Sequence, residues 1–341
     1  MAPTSIILIT GFLGAGKTTV MQHLLTSLKL APGSEPGSVM GSESGCNDGA
    51  GSEVASEGCV DTPPKIGLIV NEFGKISIDG PVLQQSGVEI TELNNGSIFC
   101  KCLSGTFVDS IAAMLSYHLD YLFIESSGLS DPSNMQDILT HVKNKTDQPY
   151  TYAGVLCVVD AKYFRKLSQT LSTITRQILA STLVVVNKAD LVSDEELESV
   201  KRSIKRLNPL ARITATTYGR IDLAELQKLR RSRLGSHLPS LNTPETRPKT
   251  LLILTTDRLE RSRLMQFIEI LQDRVYRLKG LVRLDEGAWH LDVVGGEVSL
   301  EANNLQFDRS ELVIIPRPGL DLRGEVQTLL RDVLQIEADV E

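Results

Sequence analysis

An α/β fold, a mainly parallel sheet covered by helices with a small α+β domain behind it, is predicted by three observations. A β-branched run, Ser5 to Thr10, leads through a glycine-rich loop into an apolar-periodic segment from Thr18 to Leu30, the order strand, loop, helix. Four further strand-like runs, Ile66–Asn71, Tyr121–Glu125, Gly154–Asp160 and Thr182–Asn187, are separated by helix-period segments long enough for right-handed crossovers. After Lys249 the pattern becomes a strand (Thr250–Thr255), a helix (Arg258–Tyr276), three strand-like runs (Gly280–Leu284, Trp289–Val294, Leu312–Pro316) and a last helix from Leu322.

Two stretches interrupt these elements. Residues 31–64 are rich in Gly, Ser and Glu, carry no base before Lys65, and hold too little apolar surface to offset the entropy of ordering; a disordered acidic insertion is expected. Residues 231–249 turn to Arg, Ser, Pro and Leu without a period and read as a linker. The expected division is therefore a first domain over 1–230, the linker over 231–249 and a C-terminal α+β domain over 250–341, each large enough for its own core.

Charge narrows the partners. With 42 Asp+Glu against 35 Lys+Arg the net charge is -7, which argues against general attraction to nucleic acid or to anionic membrane. No apolar run reaches the roughly 18 residues that a spanning helix needs, and Met1 to Ser5 lacks the charged start of a secretion signal. A soluble cytoplasmic protein is expected. The five cysteines, odd in number and scattered, suit reduced thiols or metal ligation better than a disulfide framework.

The chemistry-bearing residues sit at strand ends. Gly11-Phe-Leu-Gly14-Ala15-Gly16-Lys17-Thr18-Thr19 fits the P-loop pattern after a strand and opening a helix. Its glycines let backbone N–H groups curl around phosphate, Lys17 reaches the β and γ phosphates, and the Thr18 hydroxyl suits Mg²⁺ at the positive helix end. Asn187-Lys188-Ala189-Asp190 follows a strand at the sheet's C-terminal edge, where open α/β folds bind ligands. An Asp190 carboxylate can accept from guanine N1–H and the exocyclic amine together, whereas adenine offers it an acceptor; GTP is favoured over ATP. Helix-start Asn and Asp also serve as ordinary caps, and the order after a P-loop decides between the two readings.

Glu125-Ser126-Ser127-Gly128 ends an apolar strand where a P-loop enzyme places the acid for Mg²⁺ or its water, and a Ser/Gly turn alone would look the same. Asn71-Glu72-Phe73-Gly74 ends another strand and is a candidate switch loop sensing the γ-phosphate. The expected catalytic set is Lys17, Glu72 and Glu125, with Glu72 positioning water and with Thr18 and Glu125 holding Mg²⁺. No arginine finger stands in these motifs, so turnover should be slow until a second subunit or a partner completes the site.

Taken together, ITGFLGAGKTT, IVNEFGKISIDG, LNNGSIFCKC, FIESSGLSDP, RQILASTLVVVNKADLV, VYRLKGLVRL and ELVIIPRPGLD closely resemble the CobW-type GTPases, a metallochaperone family related to the nickel-insertion GTPases of urease and hydrogenase maturation. Glutamate at the Glu125-x-x-Gly128 position is a mark of that group. The resemblance implies a nucleotide domain of the dimer-forming P-loop class, a CobW-like C-terminal domain, slow hydrolysis, and a client metalloenzyme or cobalamin-dependent protein as partner, with a homodimer as the assembly.

One departure bears on cargo. The family's Gly-Cys-x-Cys-Cys thiolate site for Zn²⁺ or a similar ion such as Co²⁺ reads Gly96-Ser97-Ile98-Phe99-Cys100 here, and Lys75 adds a cation where many relatives carry an acid. Cys102 could join Cys100 as a two-thiolate site if a turn brought the pair together; otherwise both are ordinary reduced cysteines. Cys46 and Cys59 stand in the acidic stretch with Asp48, Glu53 and Glu57, a conceivable metal collector or a solvated insertion. Arg277 and Lys279 match the family's Arg-x-Lys-Gly, as partner contacts or as wet basic residues. Two functions stay open: a GTP-controlled metallochaperone, and a metal-free GTP-dependent assembly or reactivation factor. An ATP-dependent small-molecule kinase is disfavoured by Asp190.

Overall fold

The computed structural model describes residues 2–29, 64–71, 89–93, 104–229, 250–303, 307–317 and 319–341. In chain order the first part runs β1 (Thr4–Gly11), α1 (Lys17–Lys29), β2 (Ile66–Asn71), β3 (Glu89–Leu93), α2 (Ser104–Leu115), β4 (Tyr121–Glu125), α3 (Met135–Lys143), β5 (Tyr150–Asp160), α4 (Phe164–Thr170), α5 (Ser172–Ala180), β6 (Leu183–Asn187), α6 (Asp194–Leu207), β7 (Arg212–Ala215) and α7 (Leu223–Leu229). The second part runs β8 (Leu251–Thr255), α8 (Arg261–Leu271), β9 (Val275–Leu284), β10 (Gly287–Val294), β11 (Glu297–Ala302), β12 (Ser310–Pro316), α9 (Arg323–Leu329) and β13 (Asp339–Val340).

The first sheet has seven strands in the order β3-β2-β4-β1-β5-β6-β7, and each neighbouring pair is parallel. Parallel strands need helices on both faces, so β1 carries apolar side chains on each side. Ile7 and Ile9 pack with Val20, Leu24 and Leu226 of α1 and α7. Ile6 and Leu8 pack with Phe107, Ile111 and Ile138 of α2 and α3 on the other face. Each such buried side chain contributes roughly 1.5–3 kcal/mol, which holds the P-loop's supporting strand rigid.

The second sheet has six strands in the order β11-β10-β9-β12-β8-β13, and its neighbours are antiparallel. One face, carrying Leu278, Leu291, Val293, Leu312 and Ile314, is covered by Leu264, Phe267 and Leu271 of α8 and by Val326 of α9. The other face meets the first sheet: Tyr276, Leu252, Val313 and Ile315 share one apolar cluster with Phe12, Leu13, Phe164 and Ile174. Phe12 and Tyr276 rings meet edge to face with centroids 5.7 Å apart, a geometry that aromatic quadrupoles favour.

The α/β fold with an α+β second part is as the sequence predicts. The helix expected over Arg258–Tyr276 is shorter, because Val275-Tyr276-Arg277-Leu278 pairs as the start of β9 opposite Val294 to Val293 and Pro316 to Ile314. The sequence pattern does not predict strands β3, β7, β11 and β13; β7 has four half-buried residues and β11 is mostly exposed, so neither shows the buried alternation that marks a strand in sequence, and β13 is two residues long. The acidic insertion, the linker, Glu72, Lys75, Cys46, Cys59, Cys100 and Cys102 lie outside the described residues.

Candidate nucleotide site

The P-loop lies where β1, β5 and β6 end together. Gly16 has φ +95°, and a Cβ there would stand 2.4 Å from Asn187 Nδ2, so only glycine lets the loop and Asn187 approach this closely. That approach has a purpose visible in the bonds. Asn187, 2% exposed, donates from Nδ2 to Ala15 O at 3.0 Å and accepts at Oδ1 from Gly219 N at 3.0 Å. One amide thus ties the P-loop to the loop after β7.

The ends of the loop carry the polar groups. Lys17, 7% exposed, reaches back to Phe12 O at 3.4 Å, which leaves its ammonium folded over the loop. Thr18 Oγ1 donates to Glu125 Oε1 at 3.2 Å, bringing a hydroxyl and a carboxylate together at the start of α1. Two hard oxygens at a helix N-terminus match the donor set that Mg²⁺ takes in phosphate sites, so these residues fit that ion. Thr19 is exposed beside them, and Gly11 and Gly14 bracket the loop's first turn with positive φ.

After Glu125 the chain passes close beneath the P-loop. A Cβ on Gly128 would stand 2.6 Å from Leu13 N, which excludes any larger residue from this crossing. Ser126 donates from its hydroxyl to Thr10 Oγ1 at 3.0 Å. Gln177, 1% exposed, fixes the next turn by donating from Nε2 to Gly128 O and Ser130 O, each at 3.1 Å. Gln177 lies in the RQILASTLVVVNKADLV run that carries the family resemblance, but its bonding role is not readable there, because only the tertiary fold brings this α5 residue to the loop.

Lys188 adopts the left-handed conformation, φ 59° and ψ 37°, immediately after β6. Its ammonium pairs with Asp160 Oδ2 at 2.8 Å, while Asp160 Oδ1 accepts from Lys162 N and Tyr163 N at 2.9 and 3.2 Å. Asp190 is exposed, in the short turn after β6. The structure therefore brings Gly11 to Thr19, Glu125, Asn187, Lys188 and Asp190 to one edge of the first sheet. Asp160, Gln177 and Gly219 are added by the structure. Gly219 carries a detectable cue, a Thr-Tyr-Gly turn directly after a β-branched run.

Neighbouring cysteine and basic residues are packed rather than poised. Cys157 on β5 is buried, and burial pushes its thiol up to about 12 although the Lys17 charge opposes the shift. Arg277 grips Asp292 with two bonds, Nε to Oδ1 at 2.8 Å and an outer nitrogen to Oδ2 at 2.9 Å, and Lys279 is only 2% exposed. Neither is a wet surface residue. Among the described residues no group of His, Cys, Asp and Glu could hold a transition metal, and no helix is long and apolar enough to cross a membrane.

The chain is similar to several known proteins. The chain is 28% identical over 233 residues to the zinc chaperone YjiA of Escherichia coli (strain K12), a match that covers 66% of this chain and spans only 61% of that relative's length. It is 24% identical over 351 residues to the zinc chaperone YeiR of the same organism, covering 95% of this chain and 96% of YeiR. A Zn(II)-bound crystal structure of YjiA GTPase matches 98% of this chain and 99% of its own at 21% identity, with a TM-score of 0.45. Residues 5–40 and 60–215 match the CobW/HypB/UreG nucleotide-binding domain, and residues 249–334 match the cobalamin synthesis protein cobW C-terminal domain. The chain belongs to the CobW/HypB/UreG family of nucleotide-binding proteins and carries a cobW C-terminal domain.

Proposed function

We propose that this chain is a slow, Mg²⁺-dependent GTP hydrolase whose nucleotide state controls the transfer of a metal ion to a client metalloenzyme or cobalamin-dependent protein. The observation that carries the nucleotide part is the Asn187 amide, which bonds the P-loop at Ala15 O and the facing loop at Gly219 N. This holds the phosphate cradle and the base-reading Asp190 in one frame. The zinc chaperone names of the relatives support the metal part.

Each residue has a task in this reading. Backbone N–H groups of Gly14, Ala15 and Gly16 hold phosphate, with Gly11 opening the turn and Thr19 closing it on α1. Lys17 swings from Phe12 O to the β and γ phosphates and stabilises the charge that develops between them. Thr18 and Glu125 would hold Mg²⁺, which supplies charge neutralisation on the phosphates when bound. Asn187, Lys188 and Asp190 select guanine, and Glu72 positions water. The domain plan 1–230, 231–249 and 250–341 belongs to the same proposal, as does a homodimer that completes the site.

Cys100 and Cys102 are the thiolates that this reading assigns to the cargo ion. The sequence Gly96-Ser97-Ile98-Phe99-Cys100 favours a second reading, a metal-free GTP-dependent assembly or reactivation factor, since the family's other thiols are missing. Titration of the purified, reduced chain with Zn²⁺ and Co²⁺, in GDP and in a non-hydrolysable GTP analogue, separates the two. Tight uptake that depends on nucleotide and is lost in Cys100→Ser or Cys102→Ser supports the metallochaperone. Guanine-nucleotide binding without metal uptake supports the assembly factor.

A further inference from the structure

Between the two sheets lies a cavity of about 750 Å³, within the size range of small-molecule sites. Its walls include the outer face of the P-loop from Phe12 to Ala15 and the Lys188 stem, but none of Lys17, Thr18, Thr19, Asn187 or Asp190. It therefore adjoins the phosphate cradle and the base-reading edge, sharing Gly14, Ala15 and Lys188 with them as its near wall. Phe12 of the P-loop, Phe164 and Leu167 of α4, Ile174 of α5, Tyr276 of β9 and Val294 of β10 give it an apolar interior drawn from both parts of the chain.

Its charges are unevenly matched. Asp160, Asp292 and Glu297 each line the cavity, and each is engaged: Asp160 by Lys188 at 2.8 Å, Asp292 by Arg277 at 2.8 Å, and Glu297 by Lys162. Arg317 also lines the cavity, is exposed just past β12, and makes no ion pair among the described residues. Its charge is felt at the Tyr276 hydroxyl, whose pKa burial raises and Arg317 pulls back down. A largely apolar cavity lined by one exposed guanidinium that makes no ion pair among the described residues has the polarity of an amphipathic anion site.

We propose that this interdomain cavity binds a small amphipathic organic anion, its aromatic or aliphatic body between the sheets and its carboxylate, sulfonate or phosphate on Arg317. Gln177 forms part of the wall and donates to Gly128 O and Ser130 O. The ligand therefore lies one side chain away from the loop that follows Glu125. Val294, at the end of β10, would stand 2.8 Å from a Cβ on Gly14, so the hairpin closes the cavity against the P-loop itself.

The test uses the full chain with its nucleotide site filled by excess GDP and Mg²⁺, titrated with 8-anilinonaphthalene-1-sulfonate, an aromatic sulfonate that brightens in apolar surroundings. One saturable site per chain is expected. Arg317→Gln should weaken the dye about fivefold and Arg317→Glu further, while Leu167→Trp, which narrows the cavity, abolishes binding. GDP affinity, measured separately, should stay unchanged in all three variants, so failure of the nucleotide site shows up apart from failure of this one. Emission that never saturates, or equal dye affinity in the wild type and both Arg317 variants, would overturn the assignment. Should Leu167→Trp fail to fold, the exposed Arg317 pair decides.

Discussion

Single side chains carry the sharpest consequences. Glu125 is 3% exposed and shares a hydrogen bond with Thr18. Replacement by Gln keeps the shape and removes the charge that the proposed Mg²⁺ site would use. Glu125→Gln should therefore lower kcat for GTP by roughly 100-fold while GDP binding without Mg²⁺ stays near wild type, as read from steady-state rates and calorimetry. Gln177 acts on stability. Its amide is the donor for two buried carbonyls, and Gln177→Leu leaves both unmet at a cost of about 1–3 kcal/mol. The thermal unfolding midpoint should fall by several degrees. An unchanged midpoint would show that other donors replace it.

At the scale of elements, the junction of β1, β6 and α1 is held by close backbone approach rather than by bulk. Gly16→Ala would force a methyl group against the Asn187 amide at 2.4 Å, in a backbone conformation that costs about 1–3 kcal/mol for a non-glycine residue. The expected result is loss of tight GDP binding, with the far-ultraviolet dichroism of the sheet retained. Retained GDP affinity would mean that the Asn187 tie is dispensable. The P-loop and Asn187-Lys188-Ala189-Asp190 were legible in sequence because their chemistry is local: residue type, spacing and strand context all lie within a few positions. The bonding roles of Asp160, Gln177 and Gly219 are not legible there, because each comes from a partner far along the chain, Lys188, Gly128 and Asn187 respectively. The start of β9 was misread for a similar reason. Val275 to Leu278 continues a helical spacing from Leu271, and only pairing with β10 and β12 makes it a strand.

For the whole molecule, the second sheet reaches the first through the β10–β11 hairpin, where Glu297 meets Lys162. The Glu297 carboxyl lies below its ordinary value of 4.5, chiefly through the Lys162 hydrogen bond and next through Tyr163. A carboxylate whose pKa is lowered by folding adds stability above the unfolded value and loses it as pH falls through the folded value. The stability difference between wild type and Glu297→Gln should thus be constant above about pH 5.5 and shrink below about pH 4.5. A difference that grows with acid would contradict the pairing. The fold class, with its second sheet, can be anticipated, because strand and helix periods survive in sequence. The packing of Tyr276, Val313 and Ile315 onto Phe12 could not, since each of these residues is equally at home in a core of its own part.

The proposed function rests on guanine nucleotide binding and turning over at this edge of the first sheet. Its most direct test compares GTP, ATP and XTP turnover by the wild type and by Asp190→Asn. An amide at residue 190 can donate to the extra carbonyl of xanthine, where a carboxylate can only accept. The wild type should prefer GTP over ATP and XTP by roughly 100-fold or more, and Asp190→Asn should move the preference to XTP. Equal turnover of ATP and GTP by the wild type, or an Asp190→Asn chain that still prefers GTP, would contradict it.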